Sequence, residues 1–179
     1  FGFATILFFA VTGVTLNHPD WFGLDEPRTV TEAGELSPGW VVEAVAPEEM
    51  DKLQIVELLR SRHGVKGALA EFRVDDYECV VGFKGPAYAA AALIDRATGR
   101  YELTVTSHGT VALLNDLHKG RDTGRGWSLV IDVSAVLMAV SAATGLVLLL
   151  YIRRKRLAGL TTAVIGTVLL IGAYWALVP

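Results

Sequence analysis

The chain has 179 residues, of which 52% are hydrophobic, with a formal net charge of −3. Its mean hydropathy of +0.43 is high for a water-soluble domain. The apolar excess lies at the two ends, while residues 18–127 hold every acid except Asp132 and lack the four cations of residues 153–156. That acidic middle argues against a nucleic-acid partner, which needs a basic surface, and the single Cys79 excludes an intrachain disulfide.

Residues 1–17, FGFATILFFAVTGVTLN, carry no charge. No small-x-small cleavage site precedes HPDWFG, which argues against a cleaved signal peptide. The run reads as a first transmembrane helix that begins upstream of residue 1, with a buried core helix as the plainer alternative. Residues 18–46, which include HPDWFGLDEPRTVTEAGELSPGW, are proline-rich and read as an irregular exit from the membrane.

Residues 47–110 have the pattern of an α+β domain. PEEMDKLQIVELLRSRHG places proline at a helix start, acids in the first turn, bases in the last and Gly64 as the stop. Met50, Leu53, Val56 and Leu59 recur at helical spacing as one apolar stripe. His63 falls in the last turn, where a cation suits the helix dipole. Four strand-like runs follow: VKGALAEFRV, YECVVGFKG, AYAAAALID and RYELTVT. Turn signals at Asp75-Asp76, Gly85-Pro86 and RATG separate them. Cys79 alternates with Tyr77, Val81 and Phe83, which places it on a core face. His108 reads as part of a solvated turn. There is no phosphate-cradling loop, no Ser-His-Asp arrangement and no Cys/His set at metal spacing, so the domain reads as a binding or positioning module.

Residues 111–127 form a polar interfacial segment that runs into SLVIDVSAVLMAVSAATGLVLLLYI, residues 128–152. This run and residues 157–178, LAGLTTAVIGTVLLIGAYWALV, are each long enough to cross a hydrocarbon core, which takes roughly 20 residues. Only RRKR, residues 153–156, lies between them. Its cations place the turn in the cytoplasm, and hence residues 18–127 and the C-terminus outside. The expected fold is three transmembrane helices, with one extracytoplasmic α+β domain inserted between the first and second. Thr12-Gly13 and Thr144-Gly145 put a small pair in each of two spans. Close helix packing, with each hydroxyl satisfied on the backbone, is the ordinary reading; room for a flat macrocycle is the other.

The helix and paired hairpins ending in LIDRATGRYEL resemble a PepSY domain. TGVTLNHPDWF and LHKGRDTG carry a more specific resemblance, to the PepSY-associated transmembrane-helix family and its small three-span branch. Larger relatives in that family bind haem b between their spans in the bacterial inner membrane and pass electrons to extracytoplasmic acceptors such as ferric siderophores. The resemblance therefore implies haem b and an extracytoplasmic redox or siderophore partner, although this chain has about half the spans of those relatives.

On that reading His118 is an axial ligand, with a second ligand upstream of residue 1 or at His18. Its alternative is an interfacial structural histidine, and His18 beside Pro19 alternatively caps the first helix. Arg121 and Arg125, four apart, share a face if the segment is helical. They either clamp propionates or an anionic substrate, or reach toward lipid phosphates. Asp132 is an acid about one turn inside a span, costly unless paired or hydrated. It lies fourteen residues after His118, so a continuous helix would stack the two along one side. Three function classes follow. One is a haem-binding electron-transfer component for iron or flavin reduction. Another is a non-redox anchored module binding a peptide or restraining a protease. The third is a subunit of a larger membrane complex or homo-oligomer.

Overall fold

A computed structural model of the chain describes residues 2–18, 21, 26–41, 50–152 and 155–178. The chain divides into two compact units, Phe3–Ile131 and the pair of segments Phe1–Gly2 and Asp132–Pro179.

The first unit holds most of α1 (Gly2–Asn17), then β1 (Arg28–Glu35), α2 (Pro38–Val41), α3 (Lys52–His63), β2 (Ala68–Val74), β3 (Glu78–Gly85), β4 (Tyr88–Asp95), β5 (Arg100–Ser107) and α4 (Thr110–Lys119). The first turns of α5 (Gly124–Tyr151) close it. The strands make one antiparallel sheet in the order β1-β5-β4-β3-β2. Strands β2 to β5 are the four expected runs, and period-two alternation explains them. Cys79, Val81 and Phe83 of β3, Ala90, Ala92 and Ile94 of β4, and Tyr101 and Leu103 of β5 are buried on one face. The same face takes Ile55, Val56 and Leu59 of α3, together with Leu36 and Val41.

Three expectations need correction here. A fifth strand, β1, lies inside the segment read as an irregular exit. It pairs with β5 from Arg28↔Ser107 to Glu35↔Arg100 and is exposed along almost its whole length, so it carries no alternation to betray it. Leu53 is 69% exposed, so the buried stripe is Ile55, Val56 and Leu59, with Met50 just before the helix. At 3.6 residues per turn Leu53 points about 110° away from the middle of that stripe. The helix starts at Lys52, where the Asp51 carboxylate accepts from Gln54 N–H at 3.1 Å; Pro47 lies outside the described residues. Gly64 ends it as expected, in the left-handed region at φ 64°. Tyr77 is 86% exposed, because β3 begins one residue later and Tyr77 belongs to the preceding turn.

The second unit is built on the rest of α5 and α6 (Arg156–Leu177). The three-span arrangement is overturned. Two described helices, Gly124–Tyr151 and Arg156–Leu177, are long and apolar enough to cross a membrane, while the apolar helix Gly2–Asn17 has only 16 residues. The described part of α1 measures about 24 Å at 1.5 Å per residue, which is why it counts as a shorter apolar helix and not as a third membrane-length one. The observed architecture is a five-stranded α+β unit in a chain with two membrane-length helices. A Cβ at Gly159 would overlap the end of the Leu149 side chain, which marks a close approach of α6 to α5. Thr144 bonds back onto Val140 O at 2.9 Å, as a hydroxyl in a span should. Arg153 and Arg154 of the basic turn lie outside the described residues.

Candidate functional site

The polar segment singled out in the sequence is two helices with a break between them, not one continuous helix. α4 stops at Gly120, in the left-handed region at φ 69°. Asp122 also has a positive φ of 54°, and α5 starts only at Gly124. His118 and Asp132 therefore sit on different helices, and the proposed stacking along one side fails. The shared face of Arg121 with Arg125 fails for the same reason.

The break is closed by hydrogen bonds. Arg121 N–H donates to Asp116 O at 2.9 Å, and Thr123 Oγ1 donates to Gly120 O at 3.0 Å. Trp127 Nε1–H reaches back to Leu117 O at 2.8 Å. The Asp116 carboxylate accepts from the backbone N–H of Ala87 at 2.8 Å and faces Arg121 Nε at 4.0 Å. Ala87 is the second residue of the two-residue β3–β4 turn and is held at φ 53°, a strained position for a residue with a Cβ. Asp116 thus ties that hairpin tip to α4.

His118 packs against α1. Its Nδ1 lies 2.5 Å from Thr12 Oγ1, and its ring meets Phe9 edge-on at 5.0 Å between centroids. Thr12 is 2% exposed, and its hydroxyl is 2.7 Å from Phe8 O. The single hydroxyl proton goes to that carbonyl, so His118 Nδ1–H donates to Thr12 Oγ1 and the lone pair stays on Nε2. Thr15 Oγ1 donates to Asn115 Oδ1 at 3.0 Å, one turn along the same seam. A Cβ at Gly13 would stand 3.9 Å from His118 Cε1, an ordinary van der Waals contact, so Gly13 faces His118 but is not required there for room.

His18 is elsewhere occupied. It stacks on Trp21 at 3.8 Å with planes 9° apart, and Asn17 Nδ2 lies 3.3 Å from its Nε2. Arg125 and Asp132 are exposed, with no hydrogen-bond or ion-pair partner among the described residues. The fit to haem is thus half met. His118 keeps Nε2 in the tautomer a metal needs, but no described residue brings a second ligand to it. No group of three or more metal-ligating side chains occurs among the described residues.

A polar network invisible in the sequence lies at the far end of α3. His63 Nδ1 bonds the Glu32 carboxylate of β1, and His63 Nε2 lies 2.7 Å from the Tyr101 hydroxyl of β5. Burial pushes the Tyr101 phenol upward in pKa, with the Arg62 charge opposing. A Cβ at Gly34 would come 2.5 Å from Tyr101 Cζ, so only glycine leaves room there. Sequence reading placed His63 at the helix end and missed its partners, which stand 31 and 38 residues away.

The sheet face opposite α3 is open. Its central floor is Val80, Ala91 and Leu93, with Leu93 half exposed. A cleft of about 510 Å³ there is lined in part by Glu78, Asp95, Arg100 and Glu102. A neighbouring one of about 250 Å³ lies over Gly82 and Ala91.

An α+β sheet unit in a chain with two membrane-length apolar helices defines a membrane-associated protein with a globular domain. A PepSY_TM-like family model (PepSY_TM_like_2) matches residues 2–179. The chain belongs to the PepSY_TM-like family. The comparisons find no match among curated proteins and none among solved structures.

Proposed function

We propose that this protein is a non-redox, membrane-anchored binding or regulatory module, whose PepSY-type sheet unit engages a peptide or protein partner. The observation that carries the reading is the sheet itself: one face is filled by α3, and the other, among the described residues, is left partly open with clefts along it. His118 is held by Thr12 through Nδ1 and His18 stacks on Trp21, and no group of three or more metal-ligating side chains occurs among the described residues. The cation bias of the RRKR turn assigns that turn to the cytoplasm and the sheet unit to the extracytoplasmic side of a bacterial inner membrane. A partner there is a secreted or membrane-bound protein, and a role as accessory subunit of a larger complex is one form of the same reading.

The competing reading is a haem-b electron-transfer component supporting iron or flavin reduction, with Arg121 and Arg125 at the propionates. It makes a different prediction. Full-length protein from haem-replete cells would show a Soret band that His118→Ala removes or shifts. For the binding-module reading, a photo-crosslinking side chain at position 93 should trap one defined partner in native cells, and filling the floor with Ala91→Trp should abolish the adduct. A Soret band dependent on His118, or an adduct indifferent to Ala91→Trp, would overturn it.

A further inference from the structure

The open sheet face has a chemistry of its own. Along one row the register sets Glu102 beside Leu93, Leu93 beside Val80 and Val80 beside Arg73, whose Nε faces Asp75 at 3.3 Å; along the next it sets Thr104 beside Ala91, Ala91 beside Gly82 and Gly82 beside Glu71. The floor is therefore small and apolar, shallow enough for another chain to approach the backbone. Its end is acidic. Glu78 and Asp95 are directly opposed across β3 and β4, and Glu102 joins them in the lining of the larger cleft against the single cation Arg100. Like charges placed directly opposite on a sheet destabilise it. Asp95 has a local duty, accepting from Ala97 N–H at 2.8 Å and Thr98 N–H at 3.1 Å to form the turn. Glu78 and Glu102 have no hydrogen-bond or ion-pair partner among the described residues.

Charge decides between occupants. An anionic lipid surface would meet carboxylates. A second copy in a two-fold contact could meet the acidic end only by turning Arg73, Lys84 or Arg100 of the same face onto it, which takes the contact off the apolar floor. A segment with cations beside an apolar side chain satisfies both the rim and the floor.

We infer that the open face of the β1-β5-β4-β3-β2 sheet is the docking surface for a basic, amphipathic segment of a partner protein. An apolar side chain of that segment sits on Val80, Ala91 and Leu93, and its Lys or Arg groups pair with Glu78, Asp95 and Glu102. This rests on the binding-module reading and names the partner's chemistry.

The test uses the full chain in phosphatidylcholine nanodiscs and two fluorescent peptides with identical leucine positions, one alternating with lysine and one with glutamate. Empty nanodiscs give the lipid background. The lysine peptide binds saturably by anisotropy and weakens as salt rises. Glu78→Lys with Glu102→Lys weakens it at least about tenfold, and Ala91→Trp weakens it without changing charge. All three positions face solvent or a cleft, and circular dichroism verifies that the variants fold. Equal binding of the two peptides, or wild-type affinity in the double charge reversal, overturns the inference. If the glutamate peptide binds and Ala91→Trp removes it, the charge assignment falls while the binding-module reading stands. That reading falls separately, in the in-cell crosslinking.

Discussion

Removing one oxygen atom tests the network at the end of α3. Tyr101→Phe deletes only the hydroxyl that His63 Nε2 meets at 2.7 Å, in a side chain 3% exposed. In the neutral tautomer that donates Nδ1–H to Glu32, Nε2 accepts from the tyrosine hydroxyl. The His63 side chain is itself only 7% exposed, so water cannot readily replace the lost donor. An unsatisfied buried acceptor costs about 1–3 kcal/mol, more than the 0.5–1.5 kcal/mol net value of an ordinary hydrogen bond. Glu32→Gln costs less, because its amide oxygen still accepts and the carboxylate is about half exposed and screened. Unfolding of the sheet unit in urea, read by pulse proteolysis of the full chain in mild detergent, gives each value. The His63→Ala and Tyr101→Phe costs should fall short of additivity by about the worth of their shared bond. A Tyr101→Phe chain as stable as wild type, or full additivity, would refute the network.

Three further outcomes are expected. In the same assay Leu59→Ala, at a position with no exposure, costs about 2–5 kcal/mol, while Leu53→Ala costs under about 1 kcal/mol; similar values would mean the helix phase is wrong. Burial pushes the Cys79 thiol up to about 11. Little thiolate then exists at pH 8, and maleimide labels Cys79 only as the sheet unfolds; rapid labelling of folded protein would contradict its place in the core. Ala87→Gly relieves the positive φ and raises stability by up to about 1 kcal/mol, whereas Asp116→Ala strips the Ala87 N–H of its acceptor and lowers it by about 1–3 kcal/mol.

The strands were legible where burial on one face imposes alternation, as in Cys79-Val81-Phe83 against Ala90-Ala92-Ile94. β1 was not, because an edge strand exposed on both faces has no period to read and is specified by backbone pairing with β5. The α3 stripe slipped because steps of three from Met50 to Leu59 drift round a helix of 3.6 residues per turn, whereas Ile55, Val56 and Leu59 stay within one face. At the site, LHKGR pointed to His118, but its partner Thr12 is 106 residues away and no local pattern joins them. Glu32, His63 and Tyr101 come from three elements, so only the folded sheet brings them together.

The crowding of polar residues before α5 has a structural explanation in these bonds. Asp116 holds the β3–β4 turn and faces Arg121; Trp127 and Thr123 close the α4–α5 break; His118 and Asn115 hold α1. The bonds of Asp116, Thr123 and Trp127 brace places where the chain leaves regular structure, while those of His118 and Asn115 fasten α4 along α1. The length of α5 fits the same account. Its 28 residues extend about 42 Å, against roughly 30 Å of hydrocarbon. Counted back from Tyr151, that thickness is used up at about Asp132. A span laid back from Tyr151 would leave the residues from Gly124 to Ile131, including Arg125 and Trp127, at the headgroup level, where Trp and Arg are at home. Asp132 would then lie at the edge of the apolar layer, where a carboxylate can be hydrated and needs no buried counter-charge.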